Sequence, residues 1–210
     1  FLRSEIVAYF PFFVDLTGRT GLLVGGGTVA LRKAEKLLPY GPALTVVAPE
    51  VLPALADLPG VTVLRRPFSP EDLEGADFVI AAADDGAVNA QVSALCRGQK
   101  RPVNVVDDPA RCSFLFPALV RRGSLSVGIS TGGSSPTAAI WLKEQIAALL
   151  PEGMEEILDW MEAQRPVLKA AIPQENQRAR AFSRLFAVCL AAGGPPEGDA
   201  AADILREVEA

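Results

Sequence analysis

Residues 20–30 read TGLLVGGGTVA. Leu22, Leu23 and Val24 are an apolar run of strand length, Gly25, Gly26 and Gly27 follow at once, and a helical pattern begins behind them. The spacing Gly25-x-Gly27-x-x-Ala30 fits the dinucleotide fingerprint G-x-G-x-x-G/A. On that reading Gly25 permits the tight turn, Gly27 lets the backbone approach a pyrophosphate, and Ala30 lets helix and strand pack closely. The helix then aims its N-terminal N–H groups and dipole at the phosphates. Three glycines behind a strand equally serve an ordinary turn, so the surrounding pattern has to decide.

Outward from the turn, Val29, Leu31, Ala34, Leu37 and Leu38 recur at near-helical spacing with Arg32, Lys33, Glu35 and Lys36 among them, and Pro39-Tyr40-Gly41-Pro42 stops the helix. Buried strands are expected at 44–48, 61–64, 78–82 and 102–106, with a short helical turn at 70–73 and a helix over 87–96. Upstream, the aromatic run 9–16 reads as a core-edge strand. Strands alternating with helices at this spacing call for a parallel sheet with right-handed crossovers, a Rossmann-type α/β fold, which makes the glycine turn a cofactor site. Pro49 and Glu50 follow the second strand. Glu50 stands 23 residues after Gly27, slightly past the position of a ribose-binding acid, so ribose contact and a solvated acid at a helix start both remain open.

Past Asp107 the pattern changes. Residues 112–120 and 125–130 read as two strands joined by the basic turn 121–124, so the chain is expected to leave the first domain near residue 113. In the turn 131–136, Ser135 suits a helix N-cap and Pro136 the first helical position, with an apolar stripe over 138–150. Two further amphipathic helices are expected at 155–171, with Pro166 a kink or stop, and at 174–190. A flexible linker over 193–199 and a tail from Ala200, either a short helix or frayed, complete the chain. The expected organisation is a Rossmann domain over 1–112, a small α+β segment over 113–150 and a helical region over 151–210.

Composition narrows the function. The 210 residues are half hydrophobic and 21% charged, an ordinary globular balance. A formal charge of −5 provides no basic face for nucleic acid. Cys96, Cys112 and Cys189 are odd in number and widely spaced, suggesting neither a disulfide framework nor a zinc site, and a reducing cytoplasm fits. The apolar start at 10–14 is too short to span a membrane, and the opening on Phe1 rather than Met points to a start further upstream. There is no histidine, so proton transfer falls to carboxylates, thiols or main-chain groups, and no resident metal is expected.

Asp107 and Asp108 sit where a parallel strand gives out at its C-terminal end, the place where open α/β sheets bind ligands. Asp108-Pro109 is accounted for as a turn; Asp107 is the best-placed general base. Asp84 and Asp85 also end a strand, and either touch cofactor or cap the next helix. Asn89 and Asn104 either bond a ligand or close turns. Arg111, Arg121 and Arg122 are either carboxylate clamps or solvated turn residues, and the 131–135 turn either an anion cradle or a plain helix cap.

The runs YFPFFVDLTGR, GLLVGGGTVALRKAEKLL, VVAPE, FVIAAADD, VNVVDDPARCSFLFPALVRRG and SVGISTGGSSP together resemble the precorrin-2 dehydrogenase family, which includes the N-terminal half of multifunctional sirohaem synthases. The resemblance covers roughly residues 9–150. It implies NAD-dependent oxidation of precorrin-2 to sirohydrochlorin, with some members also inserting ferrous iron into the product. It places the catalytic carboxylate on Asp107 and the cofactor on Gly25, Gly27, Thr28, Val29, Pro49 and Glu50; Gly26 within the turn and Asp84 at its strand end are further cofactor-side candidates. The substrate-side candidates are Asn104, Arg111, Ser113, Arg121, Thr131, Gly132 and Gly133, with Thr131 standing where some members carry serine. It also implies a homodimer joined through about residues 112–150, a helical portion completing the tetrapyrrole cleft, and no methyltransferase activity in residues 151–210. The competing readings are an NAD-sensing module without catalysis, and a dehydrogenase of small hydroxy acids, which normally employs the histidine or lysine acid/base.

Overall fold

The computed structural model describes residues 9–196 and 202–203, so the tail expected from Ala200 and the end of the 193–199 linker fall largely outside the described residues. The described residues divide into two compact units, one running to Phe116 and the other beginning at Pro117.

The N-terminal unit alternates β1 (Thr20–Val24), α1 (Thr28–Leu37), β2 (Ala43–Val47), α2 (Pro53–Ala56), β3 (Val61–Leu64), β4 (Phe78–Ala81), α3 (Gly86–Gly98) and β5 (Val103–Val105). The sheet is parallel throughout, in the order β3-β2-β1-β4-β5, as the Rossmann reading requires. Strands covered on both faces need continuous apolar runs, and β1 and β4 have them. One face packs Leu23, Val46 and Ile80 under Ala30, Ala34 and Leu37 of α1; the other packs Leu22, Val79 and Val103 against Val92 and Cys96 of α3. Fully burying one such Leu or Ile contributes roughly 1.5–3 kcal/mol, so the sheet centre holds the unit together.

The edge strand expected at 9–16 does not form. That run is extended without strand pairing, and Phe10, Phe12 and Phe13 are more than three-quarters exposed. Apolar composition asks for burial, but a strand also needs a free sheet edge in register, and neither β3 nor β5 takes this segment. Likewise residues 112–117 stay irregular. They are held to β5 by side-chain bonds, and the strand expected there begins only at Ala118.

In the C-terminal unit β6 (Ala118–Arg122) and β7 (Leu125–Ile129) form the antiparallel hairpin, followed by α4 (Pro136–Leu149), α5 (Met154–Ala171) and α6 (Glu175–Ala192). Leu168, Ile172, Ala181 and Leu185 make the buried seam between α5 and α6. Pro166 does not stop α5: the helix runs through it to Ala171, with Pro166 on its exposed side. Ile140, Trp141 and Leu149 leave α4 with exposed apolar side chains.

Candidate functional site

The glycine turn separates into two packed positions and one open one. Gly25 has φ +123°, and a Cβ there would lie 2.2 Å from the Ala82 carbonyl oxygen; its N–H donates to Val47 O at 3.0 Å. At Gly26 a Cβ would meet Glu50 O at 2.1 Å, while Gly26 O accepts from Leu52 N. Sequence reading put Gly26 in the site without a task; its task is to let the 50–52 loop press onto the turn. Gly27, by contrast, is exposed, and a Cβ added to it would meet nothing within 4 Å. It is also the N-cap of α1, which has no side-chain cap and no acid in its first turn. Thr28 and Val29 beside it are exposed, and Ala30 is fully buried against the sheet. Unsatisfied N–H groups with open space in front of them fit a diphosphate. Pro49 and Glu50 lie exposed after β2 and Asp84 after β4, on the same carboxyl edge of the sheet.

Two open alternatives at the end of β4 are resolved. Asn89 is buried and clamps Ala83, accepting from its N–H (3.0 Å) and donating to its carbonyl (2.8 Å), so its amide closes the turn. Asp85 caps α3 by accepting from Ala87 N.

At the end of β5, Asp107 is exposed with φ +58°, at the third position of a turn closed by Asp108 N and Val105 O. That left-handed position favours Gly or Asn, so an aspartate held there carries backbone strain of the kind that collects at functional sites. Asp108 ties down its own turn: it accepts from Arg111 N, and its second oxygen pairs with the Arg111 guanidinium at 2.7 Å. The Ser113 hydroxyl is bonded to the N–H and carbonyl of Val103. Asn104 is buried and donates to Phe114 O at 3.0 Å.

Lys33 was missed by the sequence reading, which placed it among the polar residues of its helix. It belongs to the packed face, and the signal was available: Ala30, Lys33, Ala34 and Leu37 follow the i, i+3, i+4, i+7 stripe. Its Nζ lies 3.4 Å from Asn104 Oδ1 and 3.7 Å from the centroid of the Phe116 ring. Burial, reinforced by the charge of Lys36, lowers its pKa to about 8, against the opposing pull of Cys112 and Asp107.

In the C-terminal unit, Arg121 lies exposed on β6. The Thr131 hydroxyl accepts from Ser135 N and donates to Ser135 O, both at 3.1 Å, and Gly132 N donates to Ser130 Oγ. Gly132 and Gly133 have φ of +62° and +86°. Ser135 caps α4 through Ala138 N, with Pro136 behind it as expected. Among the described residues no His, Cys, Asp and Glu cluster could hold a metal, and no helix is long and apolar enough to cross a membrane.

Comparison with known proteins gives three findings. Residues 12–118 match the family described as "Putative NAD(P)-binding", and residues 122–149 the family described as sirohaem biosynthesis protein central. The chain is 44% identical over 181 residues to the siroheme synthase of Pseudomonas entomophila (strain L48), covering 85% of this chain and 39% of that protein. It is 39% identical over 196 residues to that of Ectopseudomonas mendocina (strain ymp), covering 91% and 42%. The chain thus spans about two-fifths of the length of the curated relatives it matches. A solved structure, SirC, precorrin-2 dehydrogenase, superposes with a TM-score of 0.73 at 25% identity, covering 96% of this chain and 99% of its own. The open glycine turn on a parallel sheet and a match over more than half the residues lead to one assignment: the chain belongs to the NAD(P)-binding family of that description.

Proposed function

We propose that this chain carries out the NAD-dependent dehydrogenation of precorrin-2 to sirohydrochlorin. The observation that carries the reading is the strained, exposed Asp107 on the same carboxyl edge as the open Gly27 turn, two strands away across β4. At the usual strand spacing that separation is roughly 10 Å, a span that a bound dinucleotide can bridge. The names of the siroheme synthases and of the dehydrogenase SirC support the same chemistry.

In this proposal the N–H groups at the start of α1 take the pyrophosphate and the exposed Glu50 takes the ribose. NAD, when bound, supplies the hydride acceptor. The macrocycle loses a proton as well as a hydride, and Asp107 accepts that proton. Asn104, Arg111, Ser113, Arg121 and the turn of Thr131, Gly132 and Gly133 are the proposed substrate-side residues. A homodimer is proposed through the hairpin and α4, supported by the exposed Ile140, Trp141 and Leu149, with the cytoplasm as its compartment. Ferrous iron insertion, which the relatives' name suggests, is proposed as a second activity, with iron as substrate.

Incubation with precorrin-2 and NAD, followed by NADH absorbance, tests the reading; absence of NADH with authentic substrate refutes it. Asp107→Asn should leave NAD affinity unchanged and cut turnover by about 100-fold or more. A variant that keeps full function would favour the NAD-sensing module instead. Sirohaem yields with and without ferrous iron test the second activity, and sedimentation tests the dimer.

A further inference from the structure

Beneath α1 a row of side chains crosses the sheet: Val46, Leu23, Ile80 and then Asn104 stand in register on neighbouring strands. Three of the four are apolar, and the row ends in a buried amide on the edge strand. The α1 residue that covers this end is Lys33. A leucine or methionine would cover it without desolvating a charge. The ammonium instead rests between Asn104 Oδ1 and the Phe116 face, both neutral, and among the described residues no carboxylate lies within ion-pair distance of it. An ammonium has three donors, and this arrangement orients one on Asn104 while the ring steadies the charge. Asp107 follows Asn104 by three residues and contributes to the field at Lys33.

We infer that Lys33, oriented by Asn104 and Phe116, is a substrate-positioning residue that docks one carboxylate of the polycarboxylate macrocycle within the electrostatic reach of Asp107. For the identity of its ligand the inference rests on the dehydrogenase reading above. A half-buried cation whose internal partners are neutral is stabilised when a counter-ion arrives with the ligand, which makes binding depend on the lysine proton. The ionisable groups acting on it are Lys36 on its own helix, Asp107 behind β5 and Cys112 in the following loop; Asn104 and Phe116 are uncharged. Since the free lysine titrates near pH 8 and only the ammonium pairs with a carboxylate, affinity falls as pH rises above about 8.

The test is a binding titration with sirohydrochlorin in the absence of NAD, run beside precorrin-2 kinetics, on the wild type, Lys33→Gln and Lys33→Arg. The expected result is a Kd and KM about tenfold higher in Lys33→Gln, with kcat within about twofold and NAD affinity unchanged. The wild-type Kd should weaken above pH 8, Lys33→Gln should be flat across that range, and Lys33→Arg should hold its affinity to higher pH. NAD affinity reports that each variant is folded. Unchanged Kd and KM in Lys33→Gln overturn the inference, as does a fall confined to kcat. A wild type that binds the macrocycle but makes no NADH overturns the dehydrogenase reading and leaves the Lys33 result to stand on the binding data.

Discussion

Two glycine turns open helices in this chain, and they leave their backbone donors in opposite states. At 25–27, α1 begins on Gly27 with no side-chain cap, and the space in front of that residue is open. At 131–135, Thr131 closes the turn onto Ser135, and Ser135 caps α4 through Ala138 N. Both stretches are rich in glycine, yet only the second helix start has a side-chain cap, so the two turns present different donors: the uncapped start of α1 at the first, and the turn backbone ahead of the helix at the second. A helix start becomes an anion site through donors left unpaired, and glycine content alone does not report that.

The largest effect is expected at Gly25. Gly25→Ala forces a side chain onto the Ala82 carbonyl at φ +123° and should cost about 3 kcal/mol or more, read as a lower urea midpoint, with NAD binding lost. A wild-type midpoint would show that the turn is not packed as described. Next, Ser135→Ala should cost about 1 kcal/mol in the same unfolding experiment and leave NAD affinity untouched. A change in NAD affinity would mean that the second turn is part of the cofactor site after all.

Further along α1, Lys33→Met sharpens the contrast between a helix built only for packing and one that also keeps a charge for a ligand. The pKa of Lys33 falls from 10.5 to about 8, so the folded protein holds this proton less tightly than the unfolded chain. Stability is therefore reduced below pH 8 and recovers as pH rises from about 8 to 10.5. Lys33→Met should be more stable by about 1 kcal/mol at pH 7, a figure discounted for partial exposure, and melting curves across pH should show the gap closing in that window. The smallest stability effect belongs to Gly27→Ala, about 0.5 kcal/mol or less because its Cβ enters open space. NAD titration should nonetheless show weakened binding, separating Gly27 from Gly25 by function rather than fold.

Much of the fold was legible because parallel strands covered on both faces leave uninterrupted apolar runs, as at β1 and β4, and because Ser135-Pro136 marks a helix start by its own chemistry. The four-residue α2 carried too few residues to show a period. The aromatic run at 9–16 misled because residue type reports a need for burial without naming the neighbour. Of the kink or stop expected at Pro166 the stop does not occur: the residue type reports a lost N–H, but the burial of Leu168 and Ile172 beyond it carries the helix on to Ala171. Within the site, Asp107 could be singled out from its strand-end position, but its left-handed backbone could not. Gly26 and Lys33 lacked visible roles because their partners, Glu50 and Asn104, are brought to them only by the sheet.

Residue order alone carries the alternation of strands and helices, the glycine spacing and the carboxylate at the end of the fifth strand, since each depends on neighbours a few positions apart. Which donors stay free depends on contacts between distant segments. The loop behind β2 closes onto Gly26, Ala82 excludes a side chain at Gly25, and β5 meets Lys33 with an amide in place of a carboxylate. Packing sets those distances, and it is packing that leaves Gly27 open and, among the described residues, Lys33 without a carboxylate in ion-pair reach.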